Sequence, residues 1–564
     1  MNKETKTCQN CKNPFTIEPE DFAFYEKMQV PAPTWCPQCR LQRRLSFLNL
    51  IHLYHRICGL CKQPFITNYH PDAPFVVYCP QCWWSDKWDA RDYGRDYDFS
   101  KPFFEQFREL WKSVPLIGLA VDLDTAQNSP YNNYAGKVKD SYLLSQTDEV
   151  EDCAYGVYVF RSKSTYDCSL IQQCDTCYDS AHIYKVSYGT GLRNQVYESA
   201  YCSFLRDCHH CTDCFASANL RNKQYHIFNK PYSKEKYAEE MKKWDFGSYR
   251  IYMEAKKAAE SHWQQYPPKV RFDEFSVNCT GNYVHQSKNC KDCYEVTRGE
   301  DSRYLFMVRD VKDSYDISTW GEAQSCYEGL VGRNAANIRF GNLCFEGAYD
   351  MEYTVLSGVG SSNTFGCVSL RSQHYCILNK QYSKEEYHSL VGKIKDEMRR
   401  VPFEDRVGRK YFYGEFFPPE FSPHGYNESL AHNMFPRTED EARTQGFVWT
   451  KEEKTEHHID RDASELPDHI KDAGERILKE IIRCAECRRG FRIIPRELDF
   501  LKRRSLPLPR RCPLCRIKEK LNLWMAELKS VHGVCEQCGA SVEYPSSLAG
   551  QKILCAKCYQ KELD

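Results

Sequence analysis

The chain has 564 residues, of which 41% are hydrophobic and 14% aromatic, a composition that excludes wholesale disorder and allows several domains. Lys and Arg number 77, as do Asp and Glu, so the overall charge excludes no class of partner. Neither a run of about 18 apolar residues nor an apolar signal-peptide core is seen, and we expect a cytoplasmic protein without a membrane span.

Sixteen of the 31 cysteines stand in eight Cys-x-x-Cys pairs, four pairs towards each end of the chain. An offset of 476 residues relates the two sets, with a single-residue slip at the third pair. Two such knuckles complete a tetrahedral zinc site without an open position, and closing it contributes roughly 10–16 kcal/mol to folding. We predict four structural zinc ions; disulfide, redox and iron–sulfur interpretations are the alternatives. The predicted ligands are Cys8, Cys11, Cys36, Cys39, Cys58, Cys61, Cys79, Cys82, Cys484, Cys487, Cys512, Cys515, Cys535, Cys538, Cys555 and Cys558.

The two ends also match between their cysteines, for example at Phe15/Phe491, Pro31/Pro507 and Arg40/Arg516. The segments CQNCKNPFTIEPEDFAFYEKMQVPAPTWCPQCRLQRR and CAECRRGFRIIPRELDFLKRRSLPLPRRCPLCR resemble the bacterial "probable zinc-ribbon" domain, which is treble-clef-like. The second segment departs from that pattern by having Phe-Leu in place of Phe-Tyr. The resemblance implies zinc at the first two knuckles of each end and implies no reaction. With YGEFFPPEFSPHGYNESLAHNMFP and YCILNKQYSKEEY, the whole layout is similar to uncharacterised zinc-ribbon proteins of candidate-phylum bacteria.

The middle of the chain is a second duplication. LRNKQYHIFNKPYSKEKY (220–237) returns 150 residues later as LRSQHYCILNKQYSKEEY (370–387). A short phrase, Asp followed by Ser or Cys and then often Tyr, recurs in both copies at uneven steps of about 10 to 20 residues. Short strands with small residues at matching points favour stacked rungs of a parallel β-helix or related β-solenoid. An antiparallel sandwich is the alternative.

The predicted fold is therefore mainly β with accessory helices: a duplicated β-solenoid centre flanked by two double zinc-ribbon modules. Capping boxes predict helix starts at Ser383 and Thr438. We expect the helix near 101–113 to dock the N-terminal module onto the first β copy. The predicted domains are a zinc module (1–95), a first β repeat (96–265), a second β repeat (266–400), a strap and linker (401–475) and a second zinc module (476–564).

Cysteines in the middle of the chain form a further candidate site. CHHCTDC combines Cys208, Cys211 and Cys214 with two histidines, and it is either a fifth metal site or a ladder of small residues on successive rungs. We favour the ladder, both here and at Cys174/Cys177 and Cys290/Cys293. Aspartates next to Ser or Cys could form a paired-acid hydrolase site, but they are also ordinary turn residues. No common catalytic motif appears with suitable flanks, so we lean towards a protein that is not an enzyme.

Charge is uneven along the chain. Residues 475–529 contain sixteen Lys or Arg against seven Asp or Glu, and residues 36–62 contain five basic residues and no acid. Basic zinc modules indicate a non-enzymatic scaffold that contacts nucleic acid or a ribonucleoprotein. One alternative is a protein-binding solenoid with purely structural zinc modules, and another is a carbohydrate-active or other hydrolase on the β repeat. The candidate nucleic-acid contacts are Arg40, Arg43, Arg44, Arg503, Arg504, Arg510 and Arg511.

Overall fold

The computed structural model describes residues 2–319, 321–332, 335–336, 338–344, 349–358, 360–451 and 458–563. The chain divides into two compact units. Unit 1 comprises Met1–Leu119 with Arg271–Lys451, and unit 2 comprises Ala120–Val270 with Glu452–Asp564. The N-terminal module is therefore grouped with the second β copy, and the C-terminal module with the first. Within the described ranges, no helix is both long and apolar enough to span a membrane.

The strands of each β copy pair in parallel, which confirms the solenoid and makes the antiparallel-sandwich alternative wrong. The register advances by 12 residues per rung, as in Asn133 opposite Ser145, which in turn lies opposite Val157. A single extra residue makes some rungs 13 residues long, as where Ile183 pairs with Val196. Within the described residues, the two β copies together have about 19 turns.

Each rung bends at residues in the left-handed backbone region. Every third residue from Tyr134 to Tyr188 has a φ between 47° and 62°, and the same pattern runs from Tyr283 to Thr319 in the second copy. Asn and Asp adopt this conformation more readily than other non-glycine residues. This explains the repeated Asp-Ser/Cys phrase, because Asp140 and Asp313 occupy such corners and the residue after each points inward.

The interior of each solenoid is a narrow column of small or slender side chains. One inward residue occurs every three positions, and in unit 2 successive inward residues are Cys168, Ile171, Cys174, Cys177, Ser180, Ile183 and Val186. Inward hydroxyls and thiols bond to neighbouring backbone, as when Ser162 Oγ accepts from the Cys174 N–H at 3.1 Å. The column therefore has little room for larger side chains.

In unit 1, the N-terminal module has short antiparallel hairpins and helices, and the second copy ends in a hairpin and a long helix. The strands are Glu4–Thr7, Pro14–Ile17, Tyr54–Ile57, Pro64–Thr67, Val77–Tyr78, Leu116–Ile117, Gly281–His285, Cys293–Glu300, Phe306–Lys312, Ala323–Gln324, Leu330–Gly332, Ala335–Ala336, Asn342–Cys344, Tyr349–Glu352, Ser362–Phe365, His374–Ile377, Lys380–Gln381, Phe403–Glu404 and Lys410–Tyr411. The α-helices are Pro19–Lys27, Pro37–Leu45, Pro80–Trp83, Phe103–Ser113, Lys384–Arg400, Leu430–Met434 and Glu439–Thr444. Both predicted capping boxes are present, at Ser383 and Thr438.

In unit 2, the first β copy is followed by two helices. The strands are Asn133–Lys139, Tyr142–Glu151, Ala154–Lys163, Ser169–Gln172, Ala181–Tyr184, Val196–Tyr197, Thr212–Phe215, Gln224–Ile227, Lys230–Pro231, Arg461–Asp462, Ile482–Arg483, Gly490–Phe491, Ser530–Val534 and Ser541–Pro545. The α-helices are Lys234–Met241, Tyr249–Trp263, Pro495–Arg504, Pro513–Glu527 and Ala556–Leu563.

The helix Phe103–Ser113 packs on the second β copy, not on the first as expected. The ring of Phe103 lies 5.1 Å from that of Tyr353 and 5.1 Å from that of Phe365. Phe107 stacks on Phe417 at 5.3 Å, so the same helix also holds the strap that follows the second copy. The apolar face was evident in the sequence, but nothing in that face distinguished the two similar copies.

His424 makes the stability of unit 1 sensitive to pH. Burial lowers the pKa of this imidazole to about 3, and the ring stacks on Tyr69 at 5.2 Å. The unfolded chain therefore takes up a proton near the ordinary pKa of 6.5, whereas the folded state keeps this imidazole neutral at that pH. We expect the free energy of unfolding to fall below pH 6.5 by up to about 1.4 kcal/mol per pH unit. His424→Gln should flatten this slope between pH 6.5 and 5 in denaturant titrations, whereas His458→Gln, at an exposed site, should leave it unchanged.

Candidate metal centres

All sixteen predicted ligands fall into four clusters of four cysteines. Within each cluster the four Sγ atoms lie within 4.8 Å of one another, and the described residues contain no other group of this kind. Two clusters belong to each unit. The clusters are Cys8/Cys11/Cys36/Cys39, Cys58/Cys61/Cys79/Cys82, Cys484/Cys487/Cys512/Cys515 and Cys535/Cys538/Cys555/Cys558.

The spacing of the sulfur atoms fits a tetrahedral ion. Metal–sulfur bonds of about 2.3 Å give a tetrahedron with edges of roughly 3.8 Å. One Sγ–Sγ distance from each cluster is 3.8 Å (Cys11 to Cys36), 4.0 Å (Cys61 to Cys79), 3.6 Å (Cys487 to Cys512) and 3.7 Å (Cys538 to Cys555). A disulfide would bring two sulfurs to about 2.0 Å. Four thiolates around one ion therefore fit the geometry, and disulfides do not.

The local sequence positions the second knuckle of each cluster. In the first module, Cys36 precedes a helix, Pro37–Leu45, and its backbone N–H donates to Cys8 Sγ at 3.2 Å. Cys512 precedes the helix Pro513–Glu527 in the same way and donates to Cys484 Sγ at 3.2 Å. Proline suits the first helical position because its missing N–H would have had no intrahelical partner there.

The helix Pro37–Leu45 buries its arginines against unit 1's solenoid. Arg40 Nε lies 3.0 Å and Arg44 Nη1 2.8 Å from Asp316 Oδ1. Arg43 Nη2 lies 2.6 Å from Glu328 Oε1. All three guanidinium groups are buried, and this corrects the expectation that they form an exposed basic surface. Asp316 and Glu328 of the solenoid, together with Glu415 of the strap, balance their three charges.

Unit 2 repeats this docking with counterpart residues. The module offset of 476 relates Arg40 to Arg516 and Arg44 to Lys520, while Asp316 and Glu328 lie 149 residues after Asp167 and Asp179. Arg516 Nη1 pairs with Asp167, and Lys520 Nζ pairs with Asp179. Arg516 also lies 2.9 Å from Glu497, the counterpart of Asp21.

Aromatic contacts are repeated at the same positions. Phe24 stacks on Tyr315 with ring centroids 3.9 Å apart, and its counterpart Phe500 stacks on Tyr166 at 4.3 Å. The Arg40 guanidinium lies 4.9 Å from the ring of Tyr304, and the Arg516 guanidinium lies 4.5 Å from that of Tyr155. The docking contacts that the two modules share are therefore a stacked pair, a cation–π contact and buried ion pairs.

The two docking sites differ in their electrostatics. In unit 1, burial raises the pKa of Glu328, and Arg43 only partly offsets this effect. In unit 2, burial would raise the pKa of Asp179, but Lys256, Lys520 and Arg193 together hold it well below its ordinary value. Two of these cations, Lys256 and Arg193, lie outside the module, on a helix and on a solenoid rung respectively.

The remaining candidate contacts lie on the C-terminal module and have partners inside unit 2. Arg503 is 56% exposed and lies 2.9 Å from Asp499. Arg504 lies over the ring of Tyr188 at 5.2 Å. Arg511 Nη2 lies 2.6 Å from Glu519, and Arg510 Nη2 donates to the carbonyls of Leu466 and Pro467, each at 3.0 Å. Of these four arginines, Arg503 presents the most exposed side chain.

Cys208, Cys211 and Cys214 lie in the solenoid interior, with no exposed surface. Each thiol donates to the backbone carbonyl two residues earlier, for example Cys208 Sγ to Arg206 O at 3.4 Å. Burial raises the pKa of the Cys208 thiol well above its ordinary value. This arrangement agrees with the ladder interpretation.

Comparisons with known proteins assign no family to the chain. No protein-family model and no curated protein matches it. A putative acetyltransferase from Desulfovibrio desulfuricans G20 is 9% identical, with 58% of this chain and 84% of that chain covered and a TM-score of 0.10. A UDP-N-acetylglucosamine acyltransferase from Campylobacter jejuni is also 9% identical, with 50% and 89% covered and a TM-score of 0.08. Likenesses this low carry no inference, so the zinc-ribbon resemblance stands on motif and cluster geometry alone.

Substitution of single cysteines should distinguish the metal ligands from the thiols of the solenoid ladder. We expect the wild-type chain to contain four tetrahedral ions and Cys39→Ser to lose one of them, because a three-thiolate site binds far more weakly. Cys208→Ser should keep all four, since its thiol lies in the solenoid interior and bonds to backbone carbonyls there. Elemental analysis after gel filtration measures this. Five ions in the wild type, or a loss in Cys208→Ser, would contradict the assignment.

Breaking a docking ion pair should destabilise unit 1 strongly. Asp316→Asn leaves Arg40 and Arg44 buried without their carboxylate, and we expect a loss of about 3–5 kcal/mol. Asp310→Asn is the matched control, because Asp310 has the same left-handed backbone but an exposed partner, Arg298. The control should cost less than about 1 kcal/mol. Hydrogen exchange of residues 37–45 measures both, and equal effects of the two variants would refute the buried-pair interpretation.

Proposed function

We propose that this protein is a non-catalytic scaffold in which four structural zinc ions hold two modules, each docked on its own β-solenoid, and that the solenoids present binding surfaces to a partner protein. The observation that carries this proposal is the repeated docking site. In both units the helix after a metal cluster places its cations against acids at solenoid corners.

Zinc is the ion that the ligand set favours. Four cysteine thiolates at tetrahedral spacing suit zinc, and iron is the other metal that such sites commonly hold. Zinc adds no redox chemistry and leaves no open position here. Its contribution is to fix the start of the helices Pro37–Leu45 and Pro513–Glu527, which carry the docking cations.

Nucleic-acid contact by the C-terminal module is a second candidate. Arg503 is 56% exposed, and Arg488, on the first knuckle, is 62% exposed. Such side chains can reach phosphates, and binding through them would weaken steeply with salt. Because Arg40, Arg43 and Arg44 are buried inside unit 1, this candidate keeps four of the seven arginines on which it first rested.

Co-purification tests the two candidates. A protein partner should remain bound to the tagged native chain after nuclease treatment and at 0.3 M salt. Loss of every associated macromolecule on nuclease treatment would overturn the protein-scaffold proposal. In parallel, anisotropy with a labelled 20-nucleotide RNA should show no tight, salt-sensitive binding. A steep salt slope that becomes shallower in Arg503→Ala would instead establish the second candidate.

The structural role of the metal has its own test. Chelation should release the modules from their solenoids, because the docking helices lose their fixed starts. Limited proteolysis should then cut within 1–119 and 476–564 before it cuts the rungs at 133–227. Unchanged protection of the modules after complete metal removal would contradict a structural role.

A further inference from the structure

Unit 1 contains a cleft of about 390 Å³ between the helix Phe103–Ser113 and the strap. Arg108, Trp111 and Lys112 of that helix form one wall. Residues 420–425 and 448–451 line the opposite side, and residues 70–75 of the N-terminal module line a third. The lining residues include none of the sixteen metal ligands, so the cleft is separate from the metal clusters.

Three arginines from different parts of unit 1 surround one buried carboxylate in this cleft. The Glu420 side chain is 6% exposed, and its carboxylate oxygens lie 3.2 Å from Arg108 Nη1 and 3.6 Å from Arg406 Nε. Burial lowers the pKa of Arg406, and Glu420 opposes this effect, but the nearby charges of Arg443 and Arg108 lower the pKa further. The three guanidinium groups are therefore close enough to repel one another, and a single acid lies among them.

The lining as a whole carries an excess of positive charge. Five cations face two acids: Arg108, Lys112, Arg406, Arg443 and Lys451 against Asp72 and Glu420. The Asp72 side chain is 90% exposed, so water and salt screen its charge. The three arginine side chains are between 40% and 45% exposed, which leaves them accessible to a ligand in the cleft.

Apolar and aromatic side chains form the rest of the lining. The rings of Phe75 and Trp111 lie 6.1 Å apart, and the Arg108 guanidinium lies 5.3 Å from the ring of Phe421. Trp449 lines the cleft and is only half-buried. Clefts of this size, with apolar walls and a few converging charged groups, are typical of small-molecule sites. A bare phosphate ion would leave the aromatic part of the volume unfilled.

We propose that this cleft binds a small phosphate monoester that carries a planar ring, as a mononucleotide does. The phosphate lies among Arg108, Arg406 and Arg443, and the ring packs on Trp449. A phosphate monoester has a charge between about −1.5 and −2 near neutral pH and three acceptor oxygens, which suits several guanidinium groups better than one carboxylate does. This site goes beyond the scaffold proposal and does not depend on a protein partner.

Calorimetric titration of the full-length, metal-loaded chain with AMP tests the proposal. We expect saturable binding of AMP, with inorganic phosphate at least about 5-fold weaker and adenosine at least about 10-fold weaker. Arg443→Gln should weaken AMP binding at least about 5-fold, because it removes charge-assisted hydrogen bonds to the phosphate. Arg298→Gln is the matched control, since Arg298 is similarly exposed and paired with Asp310 outside the cleft. The control should change the affinity less than about twofold.

A second variant separates the ring of the ligand from its phosphate. Trp449→Leu should reduce the affinity for AMP to about that for inorganic phosphate, while the affinity for inorganic phosphate stays the same. A folding defect would weaken both. Absence of saturable AMP binding up to about 5 mM, equal affinity for AMP and adenosine, or equal affinity in wild type and Arg443→Gln would overturn the proposal. Loss of all co-purifying protein would count against the scaffold proposal and would leave this titration unchanged.

Discussion

The narrow 12-residue rung is the constraint on which the rest of the structure depends. With one inward residue in three, the solenoid interior holds only small or slender side chains, and most larger groups must point outward from the corners. Tyrosines and acids at the corners, such as Tyr155 and Asp167, are then buried only if another part of the chain packs over them. The metal modules provide that cover, which explains why each solenoid copy is joined with one module in a compact unit.

Buried ion pairs are a costly way to attach a module, and the structure limits the cost by matching charges. In unit 1, Arg40, Arg43 and Arg44 meet the acids Asp316, Glu328 and Glu415. Desolvation of such groups is repaid only when each finds a partner with good geometry. The strap supplies the third acid, Glu415, so it completes the charge balance of the docking site as well as covering it.

The sequence predicted the sixteen ligands, the solenoid and the duplicated ends, because these depend on local spacing. It did not reveal the 12-residue rung, since an inward residue every third position matches neither the strand period of two nor the helical period of 3.6. The offsets of 476 and 149 match Arg40 with Arg516 and Asp316 with Asp167, but they do not show which cation meets which acid. Which module docks on which copy was not predictable, because both modules and both copies carry matching residues.

The two units differ because different segments follow the two β copies along the chain. The second copy is followed by the strap, whose Glu415 reaches Arg43, whereas the first is followed by a helix whose Lys256 reaches Asp179 and Glu519. In unit 2 the cation, Lys256, comes from outside the module, so the module supplies the acid that pairs with it. That acid is Glu519, the counterpart of Arg43 in unit 1. Charge reversal at this one position therefore compensates for a change of neighbouring segment. In both units, therefore, an ion pair joins the module to the segment that follows its β copy.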